Sequence, residues 1–228
     1  METVNQAGVA AQTLRLPKAT SFKVRHFPVK RTFDIVFSFI TLLLLSPIYL
    51  MIMIAIKINS RGKAIYAHRR VGRGGKAFNC YKFRTMYQDA DKRLEKILAK
   101  DPALCVEWET KHKLTKDPRI TPIGKILRKT SLDELPQFWN VLVGSLSVVG
   151  PRPVVQEEIN KYFGVKAYKI LSIRPGITGI WQVSGRNDTS YETRIKLDEK
   201  YVDKHSFVFD VKLILKTIPK MISSKGAY

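Results

Sequence analysis

Residues Ser131 to Pro153 read SLDELPQFWNVLVGSLSVVGPRP, and the rest of the chain is interpreted outward from this stretch. It starts with two adjacent carboxylates, Asp133 and Glu134, and it ends with Arg152 between two prolines. An apolar run between them, Phe138 to Val143, predicts a helix. Basic residues precede the carboxylates: Lys125, Arg128 and Lys129. A carboxylate pair beside cations in a very basic chain indicates chemistry on a phosphorylated substrate.

The residues alone leave two interpretations of the carboxylate pair open. Ser131-x-x-Glu134 fits a capping box, in which serine and glutamate satisfy free amides of a first helical turn. Pro136 argues against this, because at the fifth helical position its ring would clash with the preceding turn. If Pro136 is instead the first helical residue, Asp133 and Glu134 lie just outside the helix start, where phosphate oxygens bind well.

The composition limits the kinds of partner that the chain can bind. Its 228 residues carry a formal net charge of +21, which favours nucleic acid, an anionic membrane surface or phosphorylated small molecules. The basic residues are spread along the chain, without the single long run of a nucleic-acid-binding tail. Cys80 and Cys105 lack the close spacing of a zinc site and are interpreted as reduced thiols.

Residues 1–29 are polar and predict a flexible basic tail, and residues 30–58 predict a membrane segment. The apolar part, Phe33 to Ile58, gives about 39 Å of helix, against ~30 Å for a bilayer core. Ser46 and Pro47 lie at its middle, where proline removes a backbone hydrogen bond and kinks a helix. The Ser46 hydroxyl is expected to bond to the Leu42 carbonyl and to bend the helix further.

Positive charge flanks both ends of this segment, with Lys30 and Arg31 before it and Lys57 and Arg61 after it. The positive-inside rule places both flanks in the cytoplasm. A helix-break-helix that enters one leaflet and returns satisfies the charge pattern and the proline. A kinked spanning helix remains the alternative.

Two short strands follow, AIYAHRR from Ala64 and AFNCYKFRT from Ala77, joined by a glycine-rich turn. Alternation along the second strand puts Lys82 and Arg84 on one face, where both can meet one anion. A solvated strand end explains the same pair without any ligand. Further along, Thr121 and Pro122 predict the start of a basic helix.

The C-terminal third contains one candidate phosphate contact and one candidate membrane contact. Arg174, Pro175 and Gly176 begin a tight loop, RPGITG, that is expected to expose backbone amides and a guanidinium to a diphosphate. Trp181 to Val183 predicts a short strand. Phe207 to Met221 predicts an amphipathic helix with a lysine stripe, suited either to an anionic membrane surface or to packing on the domain. The stripe consists of Lys212, Lys216 and Lys220.

From about Lys30 to its C-terminus, the chain resembles the bacterial polyprenyl-phosphate sugar-1-phosphate transferases, the monotopic phosphoglycosyl transferases. The resemblance rests on the motifs KR with Asp34 before the Ser46-Pro47 break, YKFRTM, KTSLDELPQFWNVLVGSLSVVGPRP and RPGITGIWQVSGR. The SGRND turn, Asp198-Glu199-Lys200-Tyr201-Val202 and the terminal KGAY are most similar to short galactose-1-phosphate transferases that start exopolysaccharide synthesis.

The resemblance implies a fold and a location. The fold is α/β, mostly helical with a small β-hairpin or sheet, and the membrane segment is re-entrant with its break at Ser46-Pro47. Residues 59–228 form a cytoplasmic catalytic domain with membrane-surface helices. The protein is then expected to be monotopic, at the cytoplasmic face of the bacterial inner membrane.

The resemblance also implies an activity. Asp133 and Glu134 form a catalytic pair that holds Mg²⁺, and the substrates are a UDP-sugar and undecaprenyl phosphate. Asp133 becomes the carrier of the sugar phosphate, UMP is released, and galactose is expected with glucose as the alternative. Phosphate or nucleotide contacts are expected from Lys82, Arg84, Arg128, Arg152, Arg174, Pro175 and Gly176.

Two functions of other classes are weighed beside the enzyme. A membrane-anchored adaptor would use the charge to hold anionic lipid or a partner protein, without catalysis. A membrane-tethered nucleic-acid binder is disfavoured, because the charge is dispersed and no recognition helix or aromatic platform is seen. A homodimer is compatible with the sequence, although no spacing in it requires one.

Overall fold

A computed structural model describes residues 28–111, 114–184 and 189–222 of the chain. Residues 1–27 of the predicted tail lie outside the described residues, as do most of the SGRND turn and the terminal KGAY. Pro28 and Val29, which were assigned to the tail, instead begin the first helix.

The membrane segment forms two helices, α1 (Pro28–Leu44) and α2 (Ser46–Asn59), bent by 61° at Leu45. The Ser46 hydroxyl donates to the Leu43 carbonyl at 2.8 Å. In a continuous helix that carbonyl would receive the amide of residue 47, which proline lacks. The hydroxyl therefore replaces the missing amide, and the predicted bond to Leu42 is wrong by one residue.

No single helix among the described residues is long and apolar enough to cross a bilayer, but α1 and α2 pass that test together. Both helices expose apolar side chains, which a water-facing surface would not favour. On α1 these are Ile35, Val36, Phe39, Ile40, Leu43 and Leu44, and on α2 they are Leu50, Met51, Ile54 and Ile58.

The β-structure consists of two small sheets. Strands β1 (Ile65–Val71) and β2 (Ala77–Phe83) pair antiparallel, with Tyr66 opposite Lys82, and this confirms the predicted hairpin. Strands β3 (Ser147–Val149) and β4 (Gly176–Thr178) pair in parallel, and sequence inspection missed both. The predicted α/β class, mostly helical with little sheet, is confirmed at this level.

The loop predicted at RPGITG is wrong, because Pro175 and Gly176 are buried at β4. The Gly176 amide donates to the Pro151 carbonyl, and the Pro175 carbonyl accepts from Ser147, each at 2.8 Å. A Cβ at Gly176 would lie 2.0 Å from the amide nitrogen of Gly150. The glycine therefore permits close strand packing and does not present its amide to a ligand.

Nine further α-helices occur among the described residues. They are α3 (Ala90–Leu98), α4 (Pro102–Lys111), α5 (Pro122–Thr130), α6 (Gln137–Leu142), α7 (Gln156–Glu158, continued by a π-helix over Ile159–Phe163), α8 (Lys166–Ile170), α9 (Ile180–Ser184), α10 (Tyr191–Lys204) and α11 (Phe207–Ile222). The strand predicted at Trp181 to Val183 is wrong, since these residues lie in α9. Packing of Ile180 and Trp181 against the core overrides the strand preference of this apolar segment.

Helices α1 and α2 pack against the rest of the fold. Ile52 and Ile56 of α2 share a buried cluster with Phe83, Leu127 and Leu135. Phe33 and Phe37 of α1 pack against a second cluster, which surrounds β3. The membrane helices therefore supply part of the hydrophobic core of the domain.

Polar contacts join α1 to the domain as well. The Lys30 ammonium lies 2.5 Å from a carboxylate oxygen of Asp210 and 3.0 Å from the carbonyl oxygen of Val149. Arg31 donates to the carbonyls of Val141 and Leu142 at the end of α6. Two of the basic residues that flank the membrane segment are thus used for packing inside the protein.

Helix α11 packs on the domain, one of the two roles that its sequence left open. Leu213 is buried against the core, which confirms packing on the domain. The lysine stripe is exposed, and so are Leu215 and Ile218. Contact of this surface with a membrane stays a prediction.

Candidate active site

The two carboxylates lie in a single turn of 3₁₀-helix, Leu132–Glu134, between α5 and α6. Ser131 adopts a left-handed conformation, with φ of 56°, and its side chain makes no capping hydrogen bond. The capping-box interpretation is therefore wrong. Helix α6 begins at Gln137, directly after Pro136, so the carboxylates precede the helix as the second interpretation required.

Buried residues hold the carboxylate turn in place. Leu135 packs in the same cluster as Leu127 and Phe83, and the Tyr49 hydroxyl of α2 donates to the Leu135 carbonyl. Asn140 accepts from the Tyr81 amide at 2.9 Å, which fixes α6 against β2. These contacts bring the carboxylate turn beside the end of β2, where Lys82 is located.

Lys82 contacts both carboxylates. Its ammonium lies 2.6 Å from Glu134 Oε1 and 3.7 Å from Asp133 Oδ2. Burial acts to lower the pKa of Lys82, but the charges of Glu134 and Asp133 outweigh it and raise that pKa. Lys82 is therefore a firmly charged cation between the two acids.

Asp133 is the more buried of the two carboxylates, with 13% of its side chain exposed against 28% for Glu134. Burial raises the pKa of Asp133 to about 6, with Lys82 and Arg128 lowering it and Glu134 raising it. At neutral pH the group is mostly ionised, yet it is only weakly solvated. A carboxylate in this condition is a better nucleophile than one in water, because fewer water hydrogen bonds must be broken.

Arg128 lies on the last turn of α5, and its charge is close enough to Asp133 to lower the pKa of that carboxyl. Its Nε donates to the Thr85 hydroxyl at 2.9 Å. Gly124 permits this approach, because a Cβ there would lie 2.0 Å from the Thr85 carbonyl oxygen. Thr121 caps the helix through the Gly124 amide at 3.0 Å, as predicted.

Arg152 is a further cation near Lys82. Its guanidinium carbon is 4.8 Å from the ring centre of Trp181, and its positive charge acts to lower the pKa of Lys82. Lys82, Arg128 and Arg152 thus all surround the carboxylate pair. Their roles as phosphate contacts stay a prediction.

The remaining predicted contacts are engaged elsewhere. Arg84 donates to the carbonyls of Ser60 and Arg61 after the end of α2, and its sharing of an anion with Lys82 stays a prediction. Arg174 donates from Nε to the Gly144 carbonyl at 2.8 Å. The structure gives neither residue a contact with the carboxylate pair, and no nucleotide loop forms around Gly176.

Sequence reasoning missed two residues of the site, Tyr49 and Asn140. Asn140 left a signal, because a single amide inside the apolar run FWNVLV needs buried partners to be tolerated. Tyr49 left none, since a tyrosine in an apolar membrane segment is an ordinary interfacial residue. Its contact with Leu135 depends on the fold alone.

The donor set can be compared with the needs of Mg²⁺. No cluster of three or more His, Cys, Asp or Glu side chains with metal-binding geometry occurs among residues 28–111, 114–184 and 189–222. Mg²⁺ does not require one, because it commonly binds through one or two carboxylates together with water and substrate phosphates. Asp133 and Glu134 supply two adjacent carboxylates, the number that such a site requires, and the Lys82 ammonium lies against one oxygen of each.

Comparison with known proteins assigns the chain to a family. The model of the bacterial sugar transferase family matches residues 25–224. The exopolysaccharide production protein ExoY of Sinorhizobium fredii is 45% identical over 199 residues, which cover 87% of this chain and 88% of ExoY. The chain therefore belongs to the bacterial sugar transferase family, and it is a transferase.

Two longer relatives carry more specific names. The undecaprenyl-phosphate galactose phosphotransferase of Salmonella typhimurium is 48% identical over 201 residues, 88% of this chain and 42% of that protein. The UDP-glucose:undecaprenyl-phosphate glucose-1-phosphate transferase of Escherichia coli is 37% identical over 207 residues, 88% of this chain and 41% of that protein. The chain thus spans less than half the length of either.

Proposed function

We propose that the protein transfers a sugar-1-phosphate from a UDP-sugar to undecaprenyl phosphate, releases UMP, and thereby starts exopolysaccharide synthesis. The observation that carries the proposal is the Lys82 ammonium between Asp133 and Glu134, 2.6 Å from one carboxylate and 3.7 Å from the other. A half-buried carboxylate pair with a fixed cation, surrounded by arginines, suits attack on an anionic phosphorus centre.

The transfer takes two steps. In the first, an Asp133 oxygen attacks the β-phosphorus, the bond from phosphorus to the α-phosphate oxygen breaks, and UMP leaves with that electron pair. In the second, an oxygen of the lipid phosphate attacks the same phosphorus, and the bond to Asp133 breaks. The aspartate carboxylate is regenerated, because it is a good leaving group from the acyl phosphate formed in the first step.

The surrounding charges have separate tasks. Lys82 keeps both carboxylates in place and offsets their repulsion of the incoming phosphate. Arg128, near Asp133, and Arg152, near Lys82, bind phosphoryl oxygens. Mg²⁺, held by Asp133 and Glu134 with diphosphate oxygens, would supply further charge neutralisation when bound.

The sugar is proposed to be galactose. Support comes from the higher identity to the Salmonella galactose phosphotransferase, 48%, than to the Escherichia coli glucose-1-phosphate transferase, 37%. Glucose is the alternative, because the two sugars differ at one hydroxyl and one altered hydrogen bond can separate them.

The bend between α1 and α2 and the exposed apolar faces of both helices support a monotopic placement. We infer a hairpin that enters and leaves at the cytoplasmic face of the inner membrane. The catalytic turn then lies near the lipid phosphate, since Tyr49 of α2 contacts Leu135 next to it.

The decisive experiment separates the two steps. The purified full chain is incubated with Mg²⁺ and single UDP-sugars in the absence of lipid, and UMP release and the intact protein mass are measured. We expect about one UMP per active site and a sugar-phosphate adduct on Asp133, most with UDP-galactose. Asp133→Asn should lose both signals and all turnover with lipid.

Asp203→Asn is the matched control, because it removes one carboxylate of the same kind at an exposed position on α10, outside the catalytic turn. It should keep the adduct. If wild-type protein releases UMP only after lipid is added, the covalent scheme is wrong and direct displacement replaces it. If no UDP-sugar gives UMP even with lipid, the proposed function itself is wrong.

A further inference from the structure

Three arginines from different elements converge beside the candidate active site. Arg152 and Arg194 lie against the same indole, with guanidinium carbons 4.8 Å and 5.3 Å from the ring centre of Trp181. Arg70 reaches the same region from β1, because the Val71 amide that follows it donates to the Val154 carbonyl at 2.8 Å. That bond places Arg70 beside the segment that carries Arg152.

Arg194 is buried more than an isolated cation tolerates, and Arg70 and Arg152 are half-buried. Arg194 is only 6% exposed, and its Nε has no hydrogen-bond partner. Burial lowers the pKa of both Arg70 and Arg194, and the nearby charge of Arg152 lowers each further. Buried like charges are costly unless an opposite charge compensates them.

The carboxylates beside them do not supply enough compensation. Glu158 pairs with Arg194 at 3.3 Å. Asp198 is 1% exposed, and burial raises its pKa to about 7 despite the opposing effect of Arg194. Even with Asp198 fully ionised, three guanidiniums face only these two carboxylates among the residues that the structure describes.

The excess positive charge adjoins the catalytic carboxylates. Arg152 is close enough to Lys82 to act on its pKa, and Lys82 contacts both Asp133 and Glu134. A ligand that bridges from the carboxylate pair to these arginines would place one phosphate near Asp133 and a second beside Trp181.

We propose that Arg70, Arg152 and Arg194 form a second phosphate-binding pocket, in which Arg70 and Arg194 bind a phosphate monoester next to the catalytic pair. Guanidinium groups suit this ligand because each presents two parallel donors to phosphate oxygens. The proposal rests on the proposed function, in which both the released nucleotide, UMP, and the lipid acceptor carry such a phosphate.

The test measures binding directly and without turnover. UMP and geranyl phosphate are titrated separately into the purified full chain in detergent, with binding followed by calorimetry. Arg194→Gln and Arg70→Gln should each weaken one of the two ligands about ten-fold or more, since a lost charged hydrogen bond has that effect. The ligand affected identifies the source of the phosphate.

Lys196→Gln is the control, because it removes an equal charge from an exposed position on the same helix. It should leave both affinities unchanged. Arg194→Lys keeps the charge without the paired donors, so its affinity for the affected ligand should fall between those of wild type and Arg194→Gln. Thermal midpoints identify any variant that fails to fold.

If folded Arg194→Gln and Arg70→Gln bind both ligands like wild type, or if wild type binds neither, the pocket does not exist. The UMP-release assay is independent of this result. An enzyme that releases UMP normally while these variants keep full affinity would sink the second pocket and leave the proposed function intact.

Discussion

Asp198 is a carboxyl group whose burial makes its charge unfavourable. Its neighbours are Arg194, one helical turn earlier, and Arg152, and both lower its pKa, but burial dominates and raises it to about 7. In the unfolded chain an aspartate has a pKa near 3.9. Between about pH 4 and 7 the folded state therefore holds a proton that the unfolded state has released, and stability falls as pH rises through this window.

Asp198→Asn removes that loss, because asparagine does not ionise. We expect the difference in thermal midpoint, variant minus wild type, to be several degrees larger at pH 8 than at pH 5. A change of ~1 kcal/mol corresponds to about 2–4 °C for a chain of this size. Differential scanning calorimetry in detergent at both pH values measures this.

Asp203→Asn supplies the comparison, because Asp203 is on the same helix with 57% of its side chain exposed. Its midpoint relative to wild type should be the same at both pH values. A constant difference between Asp198→Asn and wild type would show that Asp198 does not titrate in this window.

At the residue scale, the sequence predicted which charges matter but not all of their partners. Asp133, Glu134, Lys82, Arg128 and Arg152 converge as expected from their motifs. Arg84 and Arg174 stand beside the same motifs, yet they bind backbone carbonyls. Spacing along the chain does not distinguish a guanidinium that meets a ligand from one that meets a carbonyl, because the choice depends on tertiary neighbours.

Lys30 joins helix α1 to helix α11 through the buried carboxylate of Asp210. Asp210 is 1% exposed and also accepts from the Tyr201 hydroxyl at 2.6 Å. Lys30→Met leaves this carboxylate without its cation, and breaking a buried pair in this way costs roughly 3–5 kcal/mol. We expect a lower thermal midpoint and loss of protein from detergent extracts.

Lys57→Met tests whether the effect is specific, because Lys57 flanks the other end of the hairpin and is exposed. It should be close to neutral. The double variant Lys30→Met with Asp210→Asn should recover part of the loss, since no unpaired charge remains. Equal destabilisation by Lys30→Met and Lys57→Met would count against the pairing.

At the scale of elements, the sequence predicted the elements that have strong local signals and missed those whose signals are weak. The β1–β2 hairpin and the Thr121 cap follow from alternation, glycine and hydroxyl placement, and the structure has them. Strands β3 and β4 have three residues each and pair only with one another across 26 intervening residues. Such short parallel strands have no periodicity of their own to be recognised.

The bend between α1 and α2 is predicted to determine how the whole molecule meets a membrane. Pro47→Ala restores the amide that the Leu43 carbonyl lacks, so α1 and α2 can join into one helix of about 48 Å, longer than a bilayer core. We expect a fraction of chains to place a tag added at the N-terminus on the far side of the membrane, where added protease cleaves it in intact spheroplasts.

Pro219→Ala is the comparison, because Pro219 also lies within a helix, α11, but outside the hairpin. It should leave the tag protected, as in wild type. Full protection of the Pro47→Ala tag would mean that the bend is imposed by packing on the domain and does not depend on the proline.

At the scale of the molecule, charge and hydropathy predicted a broken apolar segment followed by a basic catalytic domain. They did not predict that the segment would form part of the core of that domain. Ile52 and Ile56 are buried against Leu127 and Leu135, although they belong to an apolar run that reads as lipid-facing throughout. An apolar side chain packs equally well against lipid or protein, so hydropathy alone does not separate them.

The hydrogen bond from the Tyr49 hydroxyl to the Leu135 carbonyl has a mechanical consequence. Because α2 and the catalytic turn are joined there and packed together around Leu135, neither can be immersed independently of the other. If α1 and α2 lie in a bilayer as proposed, longer or shorter acyl chains would shift the helices, and Asp133, the proposed nucleophile, would move with them. Membrane thickness would then act on turnover by changing the distance between that aspartate and the plane of lipid phosphates.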